Sequence, residues 1–263
     1  VDRAAAVAED QMAAGSGGSI DALSQFRLEP VFGSFGASLH FSQANLMMVV
    51  ACVIVLGLLW LGMRPRALVP GRMQALSELA YDGVQSMCVE SIGHEGKKFF
   101  PFIFTLFAFV LGGNLLGVFP YFFTFTSHIA VTMALTVFVV GMVTFVGLRL
   151  HGWHFFSYFV PKGVPAVLLP LLVPIEVISY LSRLISLSVR LFANMMAGHV
   201  MLEVFGAFIV MLGAAGLLGF FPAAFAFAVN VVLIGFELLV ASLQAYVFAV
   251  LTCIYLHDAV HLH

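Results

Sequence analysis

Residues 174–221 read PIEVISYLSRLISLSVRLFANMMAGHVMLEVFGAFIVMLGAAGLLGFF, and this stretch decides the fold. After Pro174 it contains no proline, and apolar residues fill most of it. As a continuous helix rising about 1.5 Å per residue it would reach about 70 Å, over twice the roughly 30 Å hydrocarbon thickness of a bilayer. A second apolar segment, 223–256, follows Pro222 and holds a single charge, Glu237. Ordinary length mismatch is absorbed by tilts of up to about 40°, and these two segments demand more. The sequence therefore predicts two long, strongly tilted or bent helices, near 168–221 and 223–257, joined at Pro222. A hairpin of that kind, curved round something cylindrical, would account for the excess length.

Composition places the rest of the chain in the same solvent. Hydrophobic residues make up 62% and charged residues 9%, with a mean hydropathy of +1.09; soluble domains run near 25% charged. A formal charge of −2 gives no basic surface for nucleic acid. Cys52, Cys88 and Cys253 are too few and too scattered for a disulfide framework. The Val1–Ile20 stretch is rich in Ala, Gly and Ser with no apolar period. It reads as part of a flexible segment, 1–40, left by a processed targeting sequence or by truncation. Residues 41–263 form the membrane domain.

Outward from the hairpin, three upright spans are expected near 44–63, 99–120 and 129–148, each an uncharged run. Near 75–95, Leu76, Leu79, Ala80, Val84 and Met87 recur at helical spacing among Glu78, Asp82 and Glu90. That pattern predicts a helix lying at the interface or against a partner. The fold class is all-α integral membrane. Arg64, Arg66, Arg72, Lys97 and Lys98 share one loop and Arg149 and Lys162 another, while the turns around 121–128 and 219–222 lack Lys and Arg. The positive-inside rule puts the basic loops on the inner side and the N-terminus outside.

Charges inside apolar helices cost about 2.5–3.5 kcal/mol each on insertion scales and commonly mark ion pathways. Arg190 sits deep in the long segment between Val189 and Leu191, with no acid three or four residues away. Glu176, Arg183 and Arg190 are seven apart on one stripe, with Ser179, Ser186 and Asn194 beside it. His199, nine residues past Arg190, faces the opposite way, and Glu203 joins it one turn later. On the partner helix Asn230, Glu237 and Gln244 again fall seven apart. Glu176 belongs toward the inner side, His199 and Glu237 toward the outer turn. Two polar faces that change over at a permanently charged guanidinium suggest two aqueous half-channels that do not meet, with the cation blocking a leak. The cation would also draw a carboxylate on a neighbouring subunit. His199 against Glu237 reads either as an outer proton relay or as a static buried pair.

Other polar residues carry plainer readings. His257, His261 and His263 fit a solvated tail better than a metal site, and His151 and His154 flank Trp153 at an interface. Gly112, Gly113 and Gly117 suit close helix packing. There is no phosphate loop, nucleophile elbow or metal-ligand spacing, so no catalytic site, cofactor or metal is expected on this chain.

The segment Ser186-Leu-Ser-Val-Arg190-Leu-Phe-Ala-Asn194-Met-Met-Ala-Gly198-His199 resembles the central motif of the a subunits of F-type ATP synthases. Glu237 followed by Gln244-Ala-Tyr-Val-Phe is similar to that family's last helix, and Asn114-Leu-Leu-Gly-Val-Phe-Pro120 to an earlier span. The resemblance runs from about Leu46 to the C-terminus. It implies that Arg190 faces the proton-carrying acid of a rotating c-ring of small hairpin subunits. It implies further that His199 and Glu237 form the inlet pair, that Asn194 and Gln244 lie near the ring, and that Glu176 lies near the exit. Peripheral-stalk membrane subunits and the lipid bilayer would be the other partners, and protons the cargo. Some bacterial members carry an acid where this chain has Gly117. The order of His199 and Glu237 resembles that of mitochondrial and related alphaproteobacterial members, and the tail Tyr255-Leu-His-Asp-Ala-Val-His-Leu-His263 resembles plant and algal mitochondrial versions, which implies a mitochondrial inner membrane, with a bacterial plasma membrane as the alternative.

Two other classes compete. A self-contained channel or secondary transporter would need a pore or inverted repeat, and no internal repeat is visible. A purely structural scaffold leaves the cost of Arg190 unexplained.

Overall fold

The computed structural model describes residues 43–63, 71–93, 95–119, 124–160, 168–214 and 216–261. The expected N-terminal segment 1–40, the basic residues Arg64, Arg66 and Lys162, and His263 lie outside the described residues. Six α-helices account for nearly everything described, and no strand occurs among these residues. They are α1 (Gln43–Met63), α2 (Arg72–Ile92), α3 (Gly96–Val118), α4 (Ile129–His151), α5 (Leu169–Gly213) and α6 (Leu217–Val260). Short 3-10 turns, Phe125–Ser127 and Gly152–Phe159, precede and follow α4. All except α2 are long and apolar enough to cross a membrane.

α2 is the amphipathic exception. Val84, Met87, Cys88 and Ile92 bury one face of its second half, while Glu78, Asp82 and Glu90 stay exposed. Leu76 and Leu79 of the expected apolar stripe are exposed as well. The helix ends at Gly93, whose φ of +83° suits glycine alone.

α5 and α6 form the overlong hairpin, of 45 and 44 residues. The break between them is not at Pro222. It falls at 214–216, where Gly216 takes a φ of +72°, and Pro222 lies within the early turns of α6. Proline removes one backbone hydrogen bond without ending the helix here, whereas a positive φ requires glycine. At about 1.5 Å per residue each arm measures about 66–68 Å, so the hairpin must run strongly tilted through any bilayer.

α6 is the spine of the packing. It contacts α5, α3, α4 and α2 in turn, and Ala241, Ala245, Phe248, Ala249, Thr252 and Cys253 are fully or almost fully buried along one stripe. Small residues at that spacing let neighbouring backbones approach, which is how helices associate where lipid removes the hydrophobic drive. Leu106 and Val110 of α3, Val139 of α4 and Leu187 and Leu191 of α5 close round Ala245 and Phe248.

Candidate functional site: the polar face of the hairpin

The packing just described uses one face of α5, carrying Leu187, Ser188, Leu191 and Met195. The opposite face is left open. Ser182, Ser186, Val189, Arg190, Ala193, Asn194 and Ala197 are all exposed along it, and on α6 so are Gly235, Leu239, Ser242 and Tyr246. Arg190 therefore stands on a surface of small and apolar residues. It enters none of the ion pairs between described residues. One turn further along, Asn194 Nδ2 donates to Gln244 Oε1 at 2.7 Å, tying the two arms together beside the arginine.

Toward the hairpin turn the polar groups go inside. His199 Nδ1 lies 3.7 Å from Glu237 Oε1, with the glutamate side chain only 4% exposed. Gly198 makes this possible: a Cβ there would come within 2.8 Å of Glu237 Oε1. The other ring nitrogen, Nε2, is 2.7 Å from Thr124 Oγ1. That hydroxyl donates to the Gly117 carbonyl at 3.3 Å, which leaves its lone pairs to accept from His199 Nε2–H, with Nδ1 on the side of Glu237. A Cβ on residue 117 would lie 2.6 Å from Thr124 Oγ1. The space that an acidic side chain would need is thus filled by Thr124.

Asn114 is fully buried next to this group, its Nδ2 donating to Ala241 O at 3.3 Å. Asn114 Oδ1, Asn230 Oδ1 and both Glu237 oxygens are buried without a hydrogen-bond partner among the described residues. Such atoms are ordinarily satisfied by water. Glu203 is half-buried one turn beyond His199.

At the opposite end of the arms the polar groups are clasped. Arg183 Nη1 donates to Asp258 Oδ2 at 3.1 Å, and its guanidinium stacks 5.1 Å from the Tyr255 ring centre. Thr144 and Tyr180 share a 2.6 Å hydrogen bond beside it. Glu176, two turns away, is half-buried. His257 and His261 stack with ring centres 4.6 Å apart. Among the described residues no three metal-ligating side chains assemble.

The structure thus joins His199 to Glu237 and Asn194 to Gln244, and it separates Arg183 from Arg190. Thr124 and Asp258 are partners that sequence reasoning did not single out. Asp258 had a signal, as the sole acid after Glu237. Thr124 had none, since it sits between helices where no periodicity applies.

Known proteins resemble this chain along most of its length. The family model described as ATP synthase A chain matches residues 45–257. The chain is 64% identical to "ATP synthase subunit a" of Granulibacter bethesdensis, over 93% of this chain and 98% of that protein. It is 58% identical to the protein of the same name from Gluconacetobacter diazotrophicus, over 95% and 99%. It is 57% identical to that of Acidiphilium cryptum, over 93% and 98%. An all-helical membrane protein with one open arginine on an overlong hairpin, matched along nearly its whole length in this way, belongs to the ATP synthase A chain family.

Proposed function

We propose that this chain carries protons through two offset half-channels against the c-ring of a rotary ATP synthase, coupling proton flow to ring rotation and ATP synthesis. Family membership supports the coarser statement, a proton-translocating membrane subunit of an F-type ATP synthase. The observation that carries the finer one is the exposure of Arg190, without an ion partner, on a face of small and apolar residues. A guanidinium cannot shed its charge and is costly against lipid. An approaching carboxylate on the ring would neutralise it, and small neighbours such as Ser186 and Ala193 allow a close approach.

On this reading protons enter from the outer side through the group of Asn114, His199, Asn230 and Glu237, with Glu203 at its mouth. They pass between His199 Nδ1 and Glu237, Thr124 holding the far ring nitrogen, and reach the ring near Asn194 and Gln244. Arg190 then keeps them from the inner half, where Glu176 marks the exit. A proton falling through about 200 mV releases about 4–5 kcal/mol, so several are needed for each ATP. ATP chemistry belongs to other subunits. Residues 41–263 act as one membrane domain, with a peripheral-stalk subunit as a further neighbour.

The implied mitochondrial location is corrected by the comparisons: the relatives described above are bacterial. We place this multi-pass protein in a bacterial plasma membrane.

Purification tests the assignment. A ring of small hairpin proteins should accompany the chain from mild detergent, and the chain alone in liposomes should conduct protons poorly. Substrate-specific flux through the isolated chain would replace this reading with a transporter.

A further inference from the structure

α3 and α4 are consecutive, yet α3 packs chiefly on α6, and α4 on α5 and α6, with little contact between α3 and α4 themselves. Between them lies a cleft of about 350 Å³, walled by Phe99 and Phe102 on one side and Phe145 on the other, with Leu256 of α6 beneath. The ring of Phe102 meets that of Phe138, centres 6.0 Å apart, and bounds the cleft along α4. Lys98, in the first turn of α3, and Arg149, in the last turn of α4, line the same cleft. Both belong to the basic loops that the positive-inside rule assigns to the inner side.

The charge balance at this mouth is positive. Lys98 and Arg149, which line it, are exposed, and Lys98 Nζ donates to Glu95 Oε2 at 2.5 Å. An ammonium has three protons and a guanidinium five, so both cations keep donors to spend on a phosphate. Among the described residues no carboxylate lines the cleft itself.

We propose that this cleft binds one anionic phospholipid of the inner leaflet, its phosphate held by Lys98 and Arg149 and an acyl chain lying against Phe99, Phe102 and Phe145. Two cations beside an aromatic wall match a headgroup and a chain together. A free anion would leave the wall unused, and a zwitterionic lipid would bring its own ammonium to two cations. Basic pockets between transmembrane helices on the cytoplasmic side select anionic headgroups on the same physical ground. The volume lies within the range of small-ligand sites, about 300–1,000 Å³. None of these residues belongs to the proposed proton path.

The test uses the assembled synthase in phosphatidylcholine nanodiscs, with trace phosphatidylglycerol or phosphatidylcholine bearing a photoactivatable acyl chain. The expected result is labelling of the peptides containing Phe102 and Phe145 by the phosphatidylglycerol probe in preference to phosphatidylcholine. Lys98→Gln with Arg149→Gln should cut that preference roughly five-fold per cation removed. Lys98→Arg with Arg149→Lys should retain it, which separates charge recognition from faulty assembly. Excess inorganic phosphate should leave the labelling intact. Equal labelling by the two lipids, an unchanged preference in the glutamine variant, displacement by phosphate, or no label at these peptides because another polypeptide covers them would each overturn the proposal.

Discussion

Arg183 and Arg190 lie seven residues apart on one helix, on nearly the same face, and meet opposite environments. Arg183 is 27% exposed, paired with Asp258 at 3.1 Å and stacked near Tyr255. Arg190 is exposed and enters no ion pair with a described residue. A spacing of seven drifts by only about 20° round the helix, so the helix itself does not separate them. α6 does. Its last turns bring an acid to the level of Arg183, while nearer Arg190 its packed face offers Ala245 and Phe248, which are occupied with Leu187 and Leu191. A charge in an apolar helix signals that a counter-charge is needed, and the register of the neighbouring helix decides whether the chain supplies it.

This contrast can be broken by substitution. Arg190→Ala should reduce ATP-driven proton pumping by the assembled complex to background, whereas Arg183→Ala should cost only a few-fold, because its pair is partly solvent-screened. Equal losses would erase the distinction drawn between them. Within the outer group, Glu237→Gln should slow pumping about 100-fold, the low end of what a positioned proton-transfer group contributes; wild-type rates would make the pair with His199 purely structural. Gly198→Val should act on the same step by pushing Glu237 aside. It should resemble a milder Glu237→Gln, with assembly followed by the yield of ring co-purified. The smallest effect belongs to Thr124→Val, which removes the hydrogen bond to His199, worth about 1 kcal/mol, together with the longer one to the Gly117 carbonyl. About a five-fold slowing of proton uptake from the outer side is expected, and none at all would free His199 from Thr124.

Much of this was legible in the residues. Uncharged runs with basic residues at one end pointed to long apolar helices, because bilayer thickness fixes the length of an apolar helix. Side and depth along the two arms set His199 against Glu237, and the two lie 3.7 Å apart; the hydrogen bond between Asn194 and Gln244, which the residues alone did not pair, comes from the docking of the arms. The hairpin turn was misplaced because Pro222 looks like a breaker, although the residue that turns the chain is Gly216 at a φ of +72°. Asp258 as the partner of Arg183, Thr124 as the partner of His199, and the cleft between α3 and α4 all depend on how separate elements dock. No local pattern encodes that docking. Even the opening left at Gly117 becomes meaningful only once Thr124 is seen to fill it.

The central claim is that Arg190 both draws the ring carboxylate and keeps the two half-channels apart. Passive proton conductance and ATP-driven pumping, measured on the same vesicles containing assembled Arg190→Ala complex, test it most directly. Pumping should disappear while passive conductance rises above that of the wild-type complex. Pumping at the wild-type rate through a membrane no leakier than before would contradict it.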